Sequence, residues 1–191
     1  MTGVRASDHA AGERLARALD LASENATGGG GPFGAVVVAA DGQVFEGVNR
    51  VTASNDPAAH AEVTAIRAAG SGLGAFDLSG AVLSTSCEPC PMCLGAALWA
   101  RIDRVVYAAD RHDAAAAGFD DADFYAYFER PDSRDAMPVV QLATPRATEP
   151  FDAWRASSAR TDYEQRPISG TDRPSPSRVW RPRGASDRGA A

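Results

Sequence analysis

Lysine is absent from this chain. All 19 of its Lys/Arg-type residues are arginine, against 25 acids, and the net charge over 191 residues is −6. We read the missing lysine as coding bias. The acidic balance argues against a large nucleic-acid footprint, which needs clustered basic charge. No apolar run approaches the ~20 residues of a membrane span. The first twenty residues lack the apolar stretch of a secretory signal. A cytoplasmic setting follows as the expectation. Cysteine is scarce, with three residues. Close together in such a setting, they argue against structural disulfides and for metal or catalytic use. What is present is ordinary for a globular protein: 45% hydrophobic residues, enough for a full core.

The length suits one domain of roughly 160 residues plus an appendage. Residues 164–191 hold four prolines, six arginines and three acids. This tail is therefore +3, and residues 1–163 are −9 (−6 minus +3). Its composition cannot offset the entropy of ordering, so we expect disorder, with Trp180 part of a solvated tail. Ahead of it, residues 1–163 alternate helix and strand. In "GERLARALDLASENA", Leu15, Ala18, Leu19 and Ala22 share a helical face. "AVVVAADGQVFEGVN" predicts a hairpin around a two-residue Asp41-Gly42 turn. "NDPAAHAEVTAIRAA" predicts a helix with Asp56 as N-cap and Pro57 in its first turn. "AVLSTS" and "DRVVYAA" read as strands flanking a proline-opened helix, "CPMCLGAALWAR". The pieces "DADFYAYFER", "PVVQLA" (as a strand) and "EPFDAWRASSAR" follow. Strands alternating with helices imply an α/β sandwich with helices on both sheet faces.

All three cysteines lie in "TSCEPCPMC": Cys87, Cys90 and Cys93. Cys90 and Cys93 are three apart at a helix start, on one face, and can chelate one ion. The positive end of the helix favours the thiolate, the form that binds metal. "HAE", with His60 and Glu62, opens another helix. Open α/β sheets build their sites where strands hand over to helices, so the two helix starts can meet there. His60, Cys90 and Cys93 as ligands leave a fourth tetrahedral position open, the catalytic pattern for zinc. Such a site acidifies water to a hydroxide source near neutral pH. Glu62, close by but not needed as a ligand, suits a proton shuttle. Cys87 reads as a packed thiol beside the site. A closed structural zinc or a redox thiol cluster is the non-enzymatic alternative, and neither has a use for Glu62. His9 and His112 read as surface residues.

The order H-x-E…P-C-x-x-C resembles that of zinc nucleobase deaminases. The blocks "GGPFGAVVV", "TASNDPAAHAEVTAIRAA", "TSCEPCPMCLGAALWAR", "DAAAAGFDDADFY" and "PFDAWR" resemble the cytidine deaminase superfamily, and within it the bacterial guanine deaminases. The resemblance spans about residues 10–163. It implies a three-layer α-β-α sandwich on a mixed sheet of about five strands, with Zn2+ as cofactor and guanine as substrate. It carries roles onto matching positions. His60, Cys90 and Cys93 become zinc ligands, and Glu62 the proton shuttle. Asp121 becomes the carboxylate that meets the guanine edge and shares in proton transfer. Asn49 hydrogen-bonds the purine, and Phe33 and Trp99 flank it. Tyr163 ends a segment, about 149–163, that crosses to a partner and closes its site. A homodimer with no membrane or nucleic-acid partner is thus expected, its deaminase domain ending at 163. Guanosine, tRNA adenosine and related amino-heterocycles are the alternative substrates.

Overall fold

The computed structural model describes residues 6–130 and 136–163. The tail with Trp180, and the side chain of His9, lie outside the described residues. The chain divides into two compact units between Ala147 and Thr148.

In the first unit, β1 (Gly34–Val38) is central and buried along its whole length. It pairs antiparallel with β2 (Val44–Val48) and with β3 (Val82–Cys87). β3 pairs in parallel with β4 (Arg104–Ala109), giving the order β2-β1-β3-β4. Because strand side chains alternate between faces, β1 feeds two cores. Val36 and Val38 meet Ala18 and Leu21 of α1 (Ala6–Thr27). Ala35 and Val37 meet Ala61, Ala65 and Ala69 of α3 (Ala61–Leu73) and Ala97 of α4 (Pro91–Trp99). The result is an α-β-α sandwich on a mixed sheet, as expected.

Four local expectations change. The sheet has four strands among the described residues, because 138–143 pairs with nothing there; Val139, Val140 and Leu142 are exposed. The α1 stripe is Ala18, Leu21 and Ala22, while Leu19, rotated off it, is exposed. The hairpin loop is Ala40-Asp41-Gly42, one residue longer than the expected turn: Ala39 N donates to Gln43 O at 2.9 Å and Gly42 has φ 89°. That is the three-residue loop with glycine in the left-handed region. Asp56 does not cap α3. Its Oδ1 accepts from Ala58 N at 2.9 Å in a turn after the short α2 (Val51–Ser54), and His60 takes the N-cap position.

α3 carries a buried alanine at every fourth residue from Ala61 to Ala69, and Gly47 of β2 sits beneath it. A Cβ on Gly47 would collide with Ala61 O and Ala65 N, both backbone atoms. Gly47→Ala therefore forces α3 off the sheet. We expect a loss of about 1–3 kcal/mol, the usual range for overpacking, read as a lower urea midpoint.

α5 (Arg111–Ala116) starts at Asp110, whose Oδ1 accepts from His112 N at 2.8 Å and Asp113 N at 3.0 Å. Asp113 Oδ2 accepts in return from Asp110 N at 3.0 Å, a capping box. His112 is exposed there, as expected. Gly118, at φ 91°, turns the chain towards α6 (Ala122–Glu129).

In the second unit, α7 (Glu149–Ala156) has Pro150 in its first turn, and Arg160 lies over the Trp154 ring at 5.6 Å. Tyr163 is exposed. No helix among the described residues is long and apolar enough to cross a membrane.

Candidate metal centre and active site

Two helix starts meet at one end of the sheet. His60 is the N-cap of α3, in extended backbone, and Cys90 is the N-cap of α4. Pro91 at the first helical position fixes that start, where its missing N–H costs nothing. Cys93 follows within the same turn and is fully buried. His60 Nδ1 lies 3.7 Å from Cys90 Sγ and 3.6 Å from Cys93 Sγ. All three donor atoms fall within 4.8 Å of one another.

This donor set fits zinc. With Zn–S near 2.3 Å and Zn–N near 2.0–2.1 Å, a tetrahedral S–N edge is about 3.6 Å. The electrostatics agree. A hydrogen bond from Cys93, and then His60, hold the Cys90 thiol well below the usual thiol range. The adjacent Cys90, burial and Glu62 push Cys93 well above the usual thiol range. A dication relieves that conflict, because it stabilises both thiolates at once.

Glu62 sits in the first turn of α3 and is only 6% exposed. Its Oε1 accepts from Thr85 Oγ1 on β3 at 3.2 Å, and its Oε2 from Cys93 Sγ at 3.4 Å. Burial raises its pKa above the usual carboxylate range. A carboxyl tuned towards neutrality is better matched to giving and taking protons at pH 7. It borders a cavity of about 340 Å³ that Phe33, Asn49, His60, Cys90 and Asp121 also line. Phe33 stands edge-on to Phe119, centroids 5.1 Å apart. Asn49 is tied to the glycine-rich loop: its N donates to Phe33 O at 3.1 Å, and Asn25 Nδ2 donates to both Asn49 O and Gly31 O. A Cβ on Gly31 would stand 3.0 Å from the Asn49 side chain, so a larger residue there would press on Asn49. Asp121 is the N-cap residue of α6, and burial followed by Cys90 raises its pKa.

Cys87 also lines the cavity but stands outside the donor set. Its Sγ donates to Asp110 O at 3.7 Å, and burial pushes its thiol up to about 11, as suits a packed thiol. Trp99 is not brought to the cavity within the single chain. It ends α4, is 62% exposed and does not line this cavity, because the end of the helix that holds the ligands is the opposite one. Tyr163 belongs to the second unit. Sequence reasoning missed Asn25, Thr85, Glu88, Arg111, Phe119 and Tyr125. Thr85 and Glu88 lie in the block "TSCEPCPMCLGAALWAR" and Phe119 and Tyr125 in "DAAAAGFDDADFY", while Asn25 and Arg111 lie outside every such block.

A sandwich with an open His-Cys-Cys centre and a buried carboxylate beside it defines the zinc-dependent hydrolytic deaminases. The family model for the cytidine and deoxycytidylate deaminase zinc-binding region matches residues 10–109, and the chain belongs to that family. Within it, the chain is 51% identical over 150 residues to the guanine deaminase of Bacillus subtilis (strain 168), which covers 78% of this chain and 96% of that protein. The X-ray structure of guanine deaminase from Bacillus subtilis superposes with a TM-score of 0.75 over 80% of this chain and 98% of that one, at 51% identity. A guanine deaminase from Nitrosomonas europaea superposes with a TM-score of 0.53, at 38% identity, over 56% of this chain and 63% of that one.

Proposed function

We propose that this protein is a zinc-dependent guanine deaminase, converting guanine and water to xanthine and ammonia. The observation that carries the reading is the 51% identity to a guanine deaminase along nearly that protein's whole length. The cavity's lining is compatible with it. Guanine presents two donors on one edge, N1–H and the 2-amino group. The Asp121 carboxylate, at the cavity wall, can accept both.

His60, Cys90 and Cys93 would hold the zinc, whose contribution is a water acidified to a nucleophile near neutral pH. Glu62 takes the proton released as the water oxygen bonds to C2 of the purine. It delivers that proton to the ring nitrogen and then carries the proton of the new C2 hydroxyl to the 2-amino group, so that the C2–N bond breaks, the C2 carbonyl forms and ammonia leaves. Asp121 holds the edge bearing the leaving group and shares in its protonation. Asn49 bonds the purine, and Phe33 covers a face of it.

The quaternary assignment is part of the proposal: a cytoplasmic homodimer in which residues 149–163 cross over and Tyr163 closes the partner's site. Apolar surface supports the dimer part of it. α4 is rich in apolar side chains, and Leu98 and Trp99 at its end are exposed in the single chain. A helix apolar on several faces belongs in an interface.

The test is ammonia release by zinc-loaded protein with guanine, guanosine, adenine and cytidine side by side. Guanine alone is expected to react. Turnover of guanosine in its place would move the assignment to the nucleoside. Asp121→Asn loses a charged acceptor, a change usually costing about 1.5–3 kcal/mol, so KM for guanine is expected to rise about 10- to 100-fold. An unchanged KM would remove Asp121 from the substrate edge.

A further inference from the structure

Three side chains beside the site form a closed circuit that the deamination chemistry does not use. Glu88 joins the last residue of β3 to Pro89 and Cys90. Its carboxylate accepts from Arg111 N at 3.1 Å and from the Arg111 guanidinium, Nη2 at 2.5 Å and Nε at 3.2 Å. The Arg111 guanidinium lies over the Tyr125 ring, 3.8 Å from its centroid. Tyr125 Oη donates to Pro89 O at 2.8 Å, which returns the circuit to the residue next to Glu88. The Glu88 side chain is 15% exposed, and that of Arg111 is 36% exposed.

The circuit joins three elements that sequence places far apart. One is the turn carrying the ligand Cys90. The second is the first residue of α5. The third is α6, where Tyr125 lies one helical turn after Asp121 and its N donates to Asp121 O at 3.4 Å. Neither α5 nor α6 has a fully buried residue, so packing alone holds them weakly. The bidentate fork and the stacked ring supply direction that packing lacks, since a planar guanidinium fixes both angle and distance.

We propose that Glu88, Arg111 and Tyr125 are positioning residues. They clamp the start of α6 onto the metal-ligand turn, and so set where Asp121 stands relative to the zinc site and the purine edge. The proposal rests on the guanine reading for the role of Asp121. It predicts a defect in substrate binding that runs through Asp121, with the metal site intact.

The experiment is a kinetic double-mutant cycle on the full-length, zinc-loaded protein, with zinc content and melting temperature measured for every variant. Arg111→Lys keeps the charge but loses the fork and the flat stacking face, so KM for guanine is expected to rise about tenfold, with kcat within about threefold and zinc content unchanged. Tyr125→Phe keeps the ring and loses one hydrogen bond, with an expected rise of about threefold; it serves as the readout if Arg111→Lys does not fold. Combined with Asp121→Asn, either substitution is expected to add little further, because groups acting through one another are non-additive. Wild-type KM in both variants would overturn the clamp. So would the same factor in the Asp121→Asn background as in the wild type, which is the signature of a general structural effect. If the wild-type protein reacts with another amino-heterocycle and not with guanine, the guanine reading falls by itself. The same cycle run on that substrate then decides the clamp: coupling to Asp121 retains it and additivity removes it.

Discussion

Glu62→Gln is expected to leave the zinc content unchanged and to lower kcat by about 10²–10⁴-fold, the usual worth of a positioned acid–base group. The substitution is close to isosteric. The amide oxygen still accepts from Thr85 Oγ1, which stands 3.2 Å from the carboxylate. The side chain remains buried, so the fold has little reason to respond. What disappears is the group that takes a proton from water and gives it back to the purine. Glu62 stands outside the His60-Cys90-Cys93 donor set, so loss of its charge removes no ligand. Zinc per chain measured by elemental analysis, alongside single-turnover kinetics, separates the two roles. Full activity in the Glu62→Gln variant would remove Glu62 from proton transfer. Loss of zinc would make it part of the metal site.

Cys90→Ala is expected to abolish zinc retention and turnover, while Cys87→Ala retains both. The two thiols are three residues apart and both touch the cavity, so the contrast tests geometry and not the mere presence of sulfur. Cys90 Sγ reaches His60 Nδ1, whereas Cys87 Sγ is turned to a backbone carbonyl. Removing one of three protein ligands leaves two, too few for a stable catalytic centre. Melting curves with and without added zinc give a second reading. Wild type and Cys87→Ala are expected to gain roughly 2.7 kcal/mol at a zinc concentration of 100 times Kd, and Cys90→Ala almost nothing. Zinc retained by Cys90→Ala, or lost from Cys87→Ala, would reverse the ligand assignment.

The candidate donor set of His60, Cys90 and Cys93 was legible because each half of it is marked locally. A proline at a helix start and cysteines three apart declare the N-terminus, the shared face and the thiolate preference within one turn. His60 with Glu62 declares the second helix start in the same way, although α3 begins at Ala61 and not at Asp56. The Asp56 side chain serves an equally local turn, so the cap signal was real and its position was not. The 138–143 segment shows the limit of pattern. Its apolar residues suit a strand, but a strand exists only with a partner edge to bond, and no spacing along the chain specifies one.

Trp99 and the Glu88–Arg111–Tyr125 circuit mark the same boundary from the side of function. Trp99 sits in a matched block, yet its place at the far end of α4 turns it away from the cavity. Arg111 lies outside every matched block and Tyr125 only ends one, with no role attached, yet they border or brace the site. The fold class, the candidate metal donors, the acid beside them and the family could all be read from the order of residues. Each is written in short-range periodicity, helix-start chemistry and residue type. The 3.6–3.7 Å approach of His60 to the two thiols, the Glu62–Thr85 contact and the bracing of α6 came only with the folded chain. Those depend on how closely α3 settles over Gly47 and how α5 and α6 fold back over the ligand turn, and close packing between distant segments is a property of the whole core.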